Sequence, residues 1–191
     1  MTVVPPEVRN THERKRRLKK FVSLILALLL ALGISSVSAA DGFDPASVST
    51  PYVCLMDAAS GNVLYEKNAY EKAYPASTTK IMTALLTLRQ RNLDDYFTVD
   101  TGAITVEGSS MGLRAGDQAS LRALAAGMLT VSGNDAANAA AVRISGSITE
   151  FVKLMNNTAA EIGMKNTSFA TPSGLDAKNH HSTAYDMALL A

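Results

Sequence analysis

The chain has 191 residues, 47% of them hydrophobic and 18% charged, with 18 Lys+Arg against 17 Asp+Glu and a formal net charge of +1. That is enough apolar material for one domain with a sizeable core, and it excludes the composition of a disordered chain. A single cysteine, Cys54, excludes an internal disulfide framework.

The near-neutral total hides two unlike parts. Residues 1–39 carry seven basic side chains, six of them in the run from Arg14 to Lys20, against two acidic ones, while residues 40–191 carry 11 basic and 15 acidic ones. Taken alone, the basic run would suit a nucleic acid. An apolar stretch follows it directly, however, from Phe21 to Ile34 (FVSLILALLLALGI), and then SSVSAA. A basic n-region, an apolar h-region and small residues at Val37-Ser38-Ala39 describe a secretory signal peptide over 1–39, cut after Ala39 or after Ala40. The uncharged stretch from Phe21 to Ala40 also has the length that crosses a bilayer, so an uncleaved N-terminal membrane anchor is the alternative. Both readings export the rest of the protein and leave the basic cluster on the cytoplasmic side. The acidic remainder gives no reason to expect nucleic acid as a partner.

Residues 40–50 read as a linker. Pro51 to Met56 is expected to form a strand, Asp57 to Gly61 a turn with Gly61 at positive φ, and Asn62 to Glu66 the returning strand of an antiparallel hairpin. Cys54, inside the apolar run VCLM, reads as a buried core thiol. Pro75 stops any helix from running into Ser77 from behind. From Ser77 to Arg89 the apolar residues Ile81, Met82, Ala84, Leu85, Leu86 and Leu88 describe a broad-faced, mostly buried helix. Phe97 to Val99 is expected to be a short strand, and Gly108, Gly112 and Gly116 mark turns. Further helices are expected over Leu121 to Leu129, from near Asp135 to Ile144, and over Ile148 to Ile162 with Gly163 as its cap.

Lys165 to Thr171 reads as a short strand and Pro172-Ser173-Gly174 as a turn. His180-His181 reads as a surface or loop pair. Ser182-Thr183 is expected to cap a last helix that reaches Ala191 in mid-pattern, so residues 1–191 read as the N-terminal portion of a longer protein. No zinc spacing, EF-hand loop or Gly-rich phosphate loop occurs, and no metal or cofactor is expected.

Two short segments carry chemistry. The first is Ser77-Thr78-Thr79-Lys80. A serine before an apolar helix is a favoured N-cap. Lys80, three residues on, shares its helix face. A lysine partly buried there would lose proton affinity, because desolvation penalises the ammonium form. Its neutral amine would then be a general base for a serine nucleophile, and the free N–H groups of the helix start would help bind an oxyanion. The second segment is Ser132-Gly133-Asn134, in a break between two helices. One reading is a C-cap followed by an N-cap. The other is a second hydroxyl that relays a proton, with a carboxamide that grips a substrate amide.

S-x-x-K followed by a second S-x-N element is the pairing of penicillin-binding proteins and class A β-lactamases. From about Pro51 to Ala191 the chain resembles the serine D-alanyl-D-alanine carboxypeptidases, the low-molecular-mass penicillin-binding proteins. The resemblance rests on five blocks in order: CLMDAASGNVLYEKNA (54–69), YPASTTKIMTALL (74–86), VSGNDAANAAA (131–141), FVKLMNNTAAEIGMKNTSF (151–169) and SGLDAKNHHSTAYDMALLA (173–191). It implies an α+β penicillin-binding/serine β-lactamase-like transpeptidase fold, a helical cluster plus an antiparallel sheet, with residues 51–191 as its N-terminal part and most of the sheet missing.

It implies Ser77 as the acylated nucleophile, Lys80 as general base, Ser132 as proton relay and Asn134 as the substrate-binding residue. The implied substrate is a peptidoglycan stem peptide ending in D-Ala-D-Ala, and β-lactam antibiotics would trap Ser77. One departure stands out: the family's third element, Lys-Thr-Gly or Lys-Ser-Gly, occurs nowhere in the chain, and Asp100-Thr101-Gly102 is the nearest echo. The chain alone is therefore expected to be inactive. A class A-type β-lactamase would also need a deacylating glutamate in E-x-x-L-N, and neither Glu150 nor Glu161 is followed by that pattern. A non-catalytic cell-wall peptide-binding module is the remaining alternative.

Overall fold

The structure, a computed structural model, describes residues 45–191. The signal peptide or anchor expected over residues 1–39 lies outside the described residues. The chain divides after Val48. Of the preceding unit, only a 3-10 turn over Pro45–Ser47 is described beyond isolated loop residues. The second unit, Ser49–Ala191, carries all the other elements.

The expected hairpin is present. Strand β1 (Val53–Met56) pairs antiparallel with β2 (Val63–Lys67), from Val53 opposite Lys67 to Met56 opposite Val63. Gly61 closes the turn at φ 72, and its N–H donates to the Asp57 carbonyl at 2.8 Å. Cys54 stands opposite Glu66 and is only half-buried, which corrects the expectation of a core thiol: one face of this two-stranded ribbon is open to solvent.

The helix expected from Ser77 is two elements. A 3-10 turn over Ala76–Thr79 runs into helix α1 (Lys80–Leu88). Ser77 therefore caps nothing. The turn starts after Pro75, α1 starts after Thr79, and neither start has a side-chain cap.

Next come β3 (Phe97–Thr98), the four-residue α2 (Thr101–Ile104) and β4 (Gln118–Ala119), which pairs antiparallel with β3. Helices α3 (Leu121–Thr130), α4 (Asn134–Ser145) and α5 (Ile148–Ile162) stand where the periodicity places them. Ser120 caps α3, Ser147 caps α5, and Gly163 ends α5 at φ 89, where a residue without Cβ is at ease. Thr183 caps α6 (Ala184–Leu190), its hydroxyl accepting from Asp186 N–H at 3.0 Å.

Helix α4 is the pivot of the cluster. It packs on α1, α2, α3 and α5. Its five buried alanines, Ala136, Ala137, Ala139, Ala140 and Ala141, let the neighbouring helices come close. On one side the core continues through Ala84, Leu124 and Met128, and on the other through Met82, Leu86, Phe151 and Met155. Burial at this density makes each of these positions sensitive to a change of even one methylene.

The strand expected over Lys165 to Thr171 does not form. Its only ladder contact is an isolated bridge between Ser168 and His181, and a second isolated bridge joins Ala73 to Ser182. The first bridge joins the two limbs of the 168–182 loop to each other, and the second ties its C-terminal limb to the segment ahead of α1.

Candidate active site

The Ser77 turn is held by its surroundings. Pro75 fixes the entry, and Ala76 takes φ 47, a left-handed value that costs a residue with a Cβ about 1–2 kcal/mol. Such strain persists only where neighbours over-determine the backbone. Here the neighbour is Gly174, at φ 86. A Cβ on Gly174 would lie 1.9 Å from the Ala76 carbonyl oxygen and 3.0 Å from Thr79 Oγ1, so only glycine allows this approach. The result is a solvent-exposed Ser77 on a fixed turn.

Lys80 is turned inward and only 1% exposed. Its Nζ lies 3.4 Å from Ser77 Oγ and donates to the Ser173 carbonyl at 2.6 Å. Burial pushes the amine below the usual lysine range. Among the described residues no carboxylate lies within ion-pair distance of it. A buried amine with a carbonyl partner and no counter-ion is placed to give up its proton and to take one from a neighbouring hydroxyl. The Ser173 carbonyl is itself held in line, because the preceding carbonyl, of Pro172, accepts from Thr83 Oγ1 at 2.6 Å.

Asn134 is the first residue of α4 and is buried. Its backbone N–H donates to Ser109 O at 2.7 Å and its Nδ2 to Glu107 O at 2.8 Å. Gly108 between them stands at φ 86, and a Cβ there would meet Asn134 Nδ2 at 2.8 Å. The carboxamide is therefore oriented by the loop in front of it.

The loop in turn is held by Asp135, which in the sequence marks no more than a helix start. Its buried carboxylate accepts from Ser110 Oγ at 2.6 Å and from the N–H groups of Met111, Gly112, Leu113 and Ala136 at 2.9–3.1 Å. Burial opposes its ionisation, but the hydrogen bonds from Ser110, Met111, Leu113 and Ala136 outweigh it and hold the carboxyl below the usual range.

Ser77, Asn134, the loop Glu107-Gly108-Ser109 and the segment Ser173 to Asp176 line one open cleft of about 380 Å³. The structure thus gathers Ser77, Lys80 and Asn134. Ser132 stands in the turn before Asn134 at φ 57, a second strained residue. Its hydroxyl makes no hydrogen bond to Ser77 or Lys80, whose partners are those already given. His180, expected in a loop or at the surface, lies in a loop but is 2% exposed and bonds Thr79 Oγ1. His181 is the half-exposed member of the pair.

Residues 39–191 match the family described as D-alanyl-D-alanine carboxypeptidase. The chain is 38% identical over 183 residues to the D-alanyl-D-alanine carboxypeptidase DacF of Bacillus subtilis, covering 91% of this chain and 47% of that protein. It is 43% identical over 175 residues to DacC of Escherichia coli, covering 86% and 44%. Among solved structures it superposes on the D-alanyl-D-alanine carboxypeptidase DacD of Francisella tularensis with a TM-score of 0.72 at 40% identity, covering 75% of this chain and 36% of that one. A mutant of the Streptomyces K15 DD-transpeptidase gives a TM-score of 0.71 at 29% identity, covering 75% and 60%.

The chain spans about half the length of the curated relatives it matches. Its α+β fold is that of the penicillin-binding transpeptidases, here a helical cluster with two small antiparallel pairs. On this match, the chain belongs to the D-alanyl-D-alanine carboxypeptidase family.

Proposed function

We propose that the full-length protein is a serine D-Ala-D-Ala carboxypeptidase that trims the terminal D-Ala from peptidoglycan stem peptides through an acyl-enzyme on Ser77. The observation that carries this reading is the buried Lys80 amine, without a counter-ion among the described residues, 3.4 Å from the exposed Ser77 hydroxyl.

Neutral Lys80 takes the proton of Ser77 as Oγ attacks the carbonyl carbon of the penultimate D-Ala. The carbonyl π electrons move onto oxygen, which faces the Ser77 backbone N–H. Ser77 is the second residue of its turn, and the first residues of a helix leave their N–H groups without intrahelical partners. Asn134 holds the substrate amide through Oδ1, since Nδ2 is committed to Glu107 O. The tetrahedral adduct collapses, the C–N bond breaks, and the leaving amine takes the proton from Lys80 by way of Ser132. Water then attacks the ester by the reverse proton route. No step calls on a metal or a cofactor.

A β-lactam mimics the dipeptide and acylates Ser77 by the same route. The reading includes export, with the domain on the outer face of the cytoplasmic membrane, supported by the basic-apolar-small pattern of residues 1–39.

The test uses the full-length gene product, because the 191 residues contain no Lys-Thr-Gly or Lys-Ser-Gly. It should take a fluorescent penicillin covalently on Ser77, release D-Ala from a D-Ala-D-Ala peptide, and lose both on Ser77→Ala. Rapid turnover of the penicillin would point to a β-lactamase. Binding of the peptide with neither label nor release would point to a non-catalytic module.

A further inference from the structure

Within the Ser77–Lys80 turn, Thr79 is the side chain that neither faces solvent nor takes part in the proposed chemistry. It is fully buried, and its Oγ1 lies 2.9 Å from Nε2 of His180, 101 residues further along the chain. The other ring nitrogen, Nδ1, accepts the N–H of Ala170 at 2.9 Å. An acceptor needs a free lone pair, so the neutral ring carries its hydrogen on Nε2 and donates it to Thr79. Both polar atoms of the imidazole are thus committed to opposite sides.

Those two sides are the parts of the site that must stay in register. On one side is the turn that carries Ser77 and Lys80. On the other is the 168–182 loop, whose limbs are joined by reciprocal backbone hydrogen bonds of 2.9 Å between Ser168 and His181. Inside that loop lie the Ser173 carbonyl, which receives the Lys80 hydrogen bond, and Gly174, which presses on the Ala76 carbonyl.

We infer that His180 is a positioning residue for the acyl transfer: by bridging the Ala170 N–H and the Thr79 hydroxyl, its imidazole sets the distance between the Ser77–Lys80 turn and the Ser173 carbonyl that orients the Lys80 amine. The inference rests on Ser77 as nucleophile and Lys80 as base. Burial chiefly opposes protonation of the ring; of the charged or titratable groups that act on it, Asp176 favours its protonation and His181 opposes it. An aliphatic side chain at 180 would leave the Ala170 N–H and the Thr79 hydroxyl without this partner in a buried place. Glutamine offers one acceptor and one donor, as the ring does.

The test measures the acylation rate constant of the full-length protein with a fluorescent penicillin, per site titrated by exhaustive labelling, alongside the thermal midpoint. His180→Leu is expected to lower that rate constant by roughly 10–100-fold, the cost of displacing a reacting pair by a fraction of an ångström to an ångström. His180→Gln should recover most of it. Thr79→Val, close to isosteric, should fall as His180→Leu does, and the double variant should fall no further, because the two act through one contact.

A merely structural role would reduce the number of titratable sites and the thermal midpoint while leaving the rate constant per site at the wild-type value, and that result overturns the inference. So do losses that add in the double variant. If His180→Leu fails to fold, Thr79→Val and His180→Gln decide by the same criterion. Wild-type protein that takes no label at Ser77 overturns the acyl-transfer reading and the inference with it. Wild-type labelling with Thr79→Val undiminished overturns the inference alone.

Discussion

Replacing Gly174 by alanine tests whether the 172–174 turn holds the Ser77–Lys80 turn in place. Gly174 stands at φ 86, and an added Cβ would sit 1.9 Å from the Ala76 oxygen and 2.5 Å from its carbonyl carbon. Even a weak C–H···O contact needs about 3.3 Å between carbon and oxygen, so the two backbones would have to part by over about 1 Å. Gly163 is the internal control. It has nearly the same φ, 89, with nothing within 4 Å of an added Cβ.

Gly163→Ala should therefore cost only the left-handed strain, about 1–2 kcal/mol. Gly174→Ala should cost that and the overpacking of two backbones, about 2–5 kcal/mol together. Because the Ser173 carbonyl moves with the turn, penicillin acylation of Gly174→Ala should also slow by up to about 100-fold, while Gly163→Ala acylates normally. Denaturant unfolding of the full-length variants, with the slope checked for constancy, gives the first quantity. Costs that agree within about 0.5 kcal/mol, the usual spread for such comparisons, would refute the close approach.

Lys80→Met should lower acylation by about 10²–10⁴-fold, the range for loss of a general base, with the circular dichroism spectrum unchanged; a variant that labels normally would show that the buried amine is not the base. In the wild type, burial lowers the Lys80 pKa, so the neutral fraction and the acylation rate should rise with pH along a limb centred below the ordinary lysine value of about 10.4. A limb at or above that value would contradict the burial. Asp135→Asn sets an amide against an array of N–H donors and should destabilise the protein by at least about 2 kcal/mol in denaturant unfolding, since hydrogen bonds to a charged acceptor are worth roughly 1.5–3 kcal/mol each; it should also weaken peptide binding through Asn134.

His180 is kept neutral chiefly by burial, against Asp176 and with His181. Its folded pKa is lowered, so on acidification the unfolded chain binds the proton first. The stability that the neutral ring contributes is full above about pH 6.5 and is lost as pH falls through that value towards the folded pKa. The denaturation midpoint should drop more between pH 7.5 and 5.5 in the wild type than in His180→Gln, and parallel curves would show that the ring does not titrate with folding.

What the sequence disclosed depended on how far apart in the chain the cause of each feature lies. Helix α5 is legible from end to end because its periodicity and Gly163 are local. So is the β1–β2 hairpin, whose turn chemistry lies between its strands. Helix α2 and strand β4 are four and two residues long, too short for any period to show.

Ser77 and Lys80 were readable as a chemical pair, but the serine's place inside a 3-10 turn depends on Gly174 meeting Ala76, a contact no local pattern announces. His180 reads in the sequence as one of a surface or loop pair, and only its loop position holds. Its burial comes from Thr79 and Ala170, neither of them a near neighbour in sequence. Asp135 follows Asn134 as an acidic residue in a first helical turn, a common place for one. Its five hydrogen bonds come mostly from the loop 22–25 residues upstream. Only the glycines at 108 and 112 hinted that this loop turns sharply.

The 93-residue separation between Lys80 and the carbonyl that holds it has a consequence for timing. A chain made from its N-terminus presents Ser77, Thr79 and Lys80 long before Ser173, Gly174 and His180 exist. Until then the Lys80 side chain stands in water, keeps its proton, and leaves Ser77 an ordinary hydroxyl. Contacts of such long range also form late in folding, because loop closure must precede them. On the proposed chemistry, reactivity at Ser77 would thus be acquired at the end of folding, when the 168–182 loop docks, and a nascent or unfolded copy would be chemically silent towards every ester and amide it meets on the way.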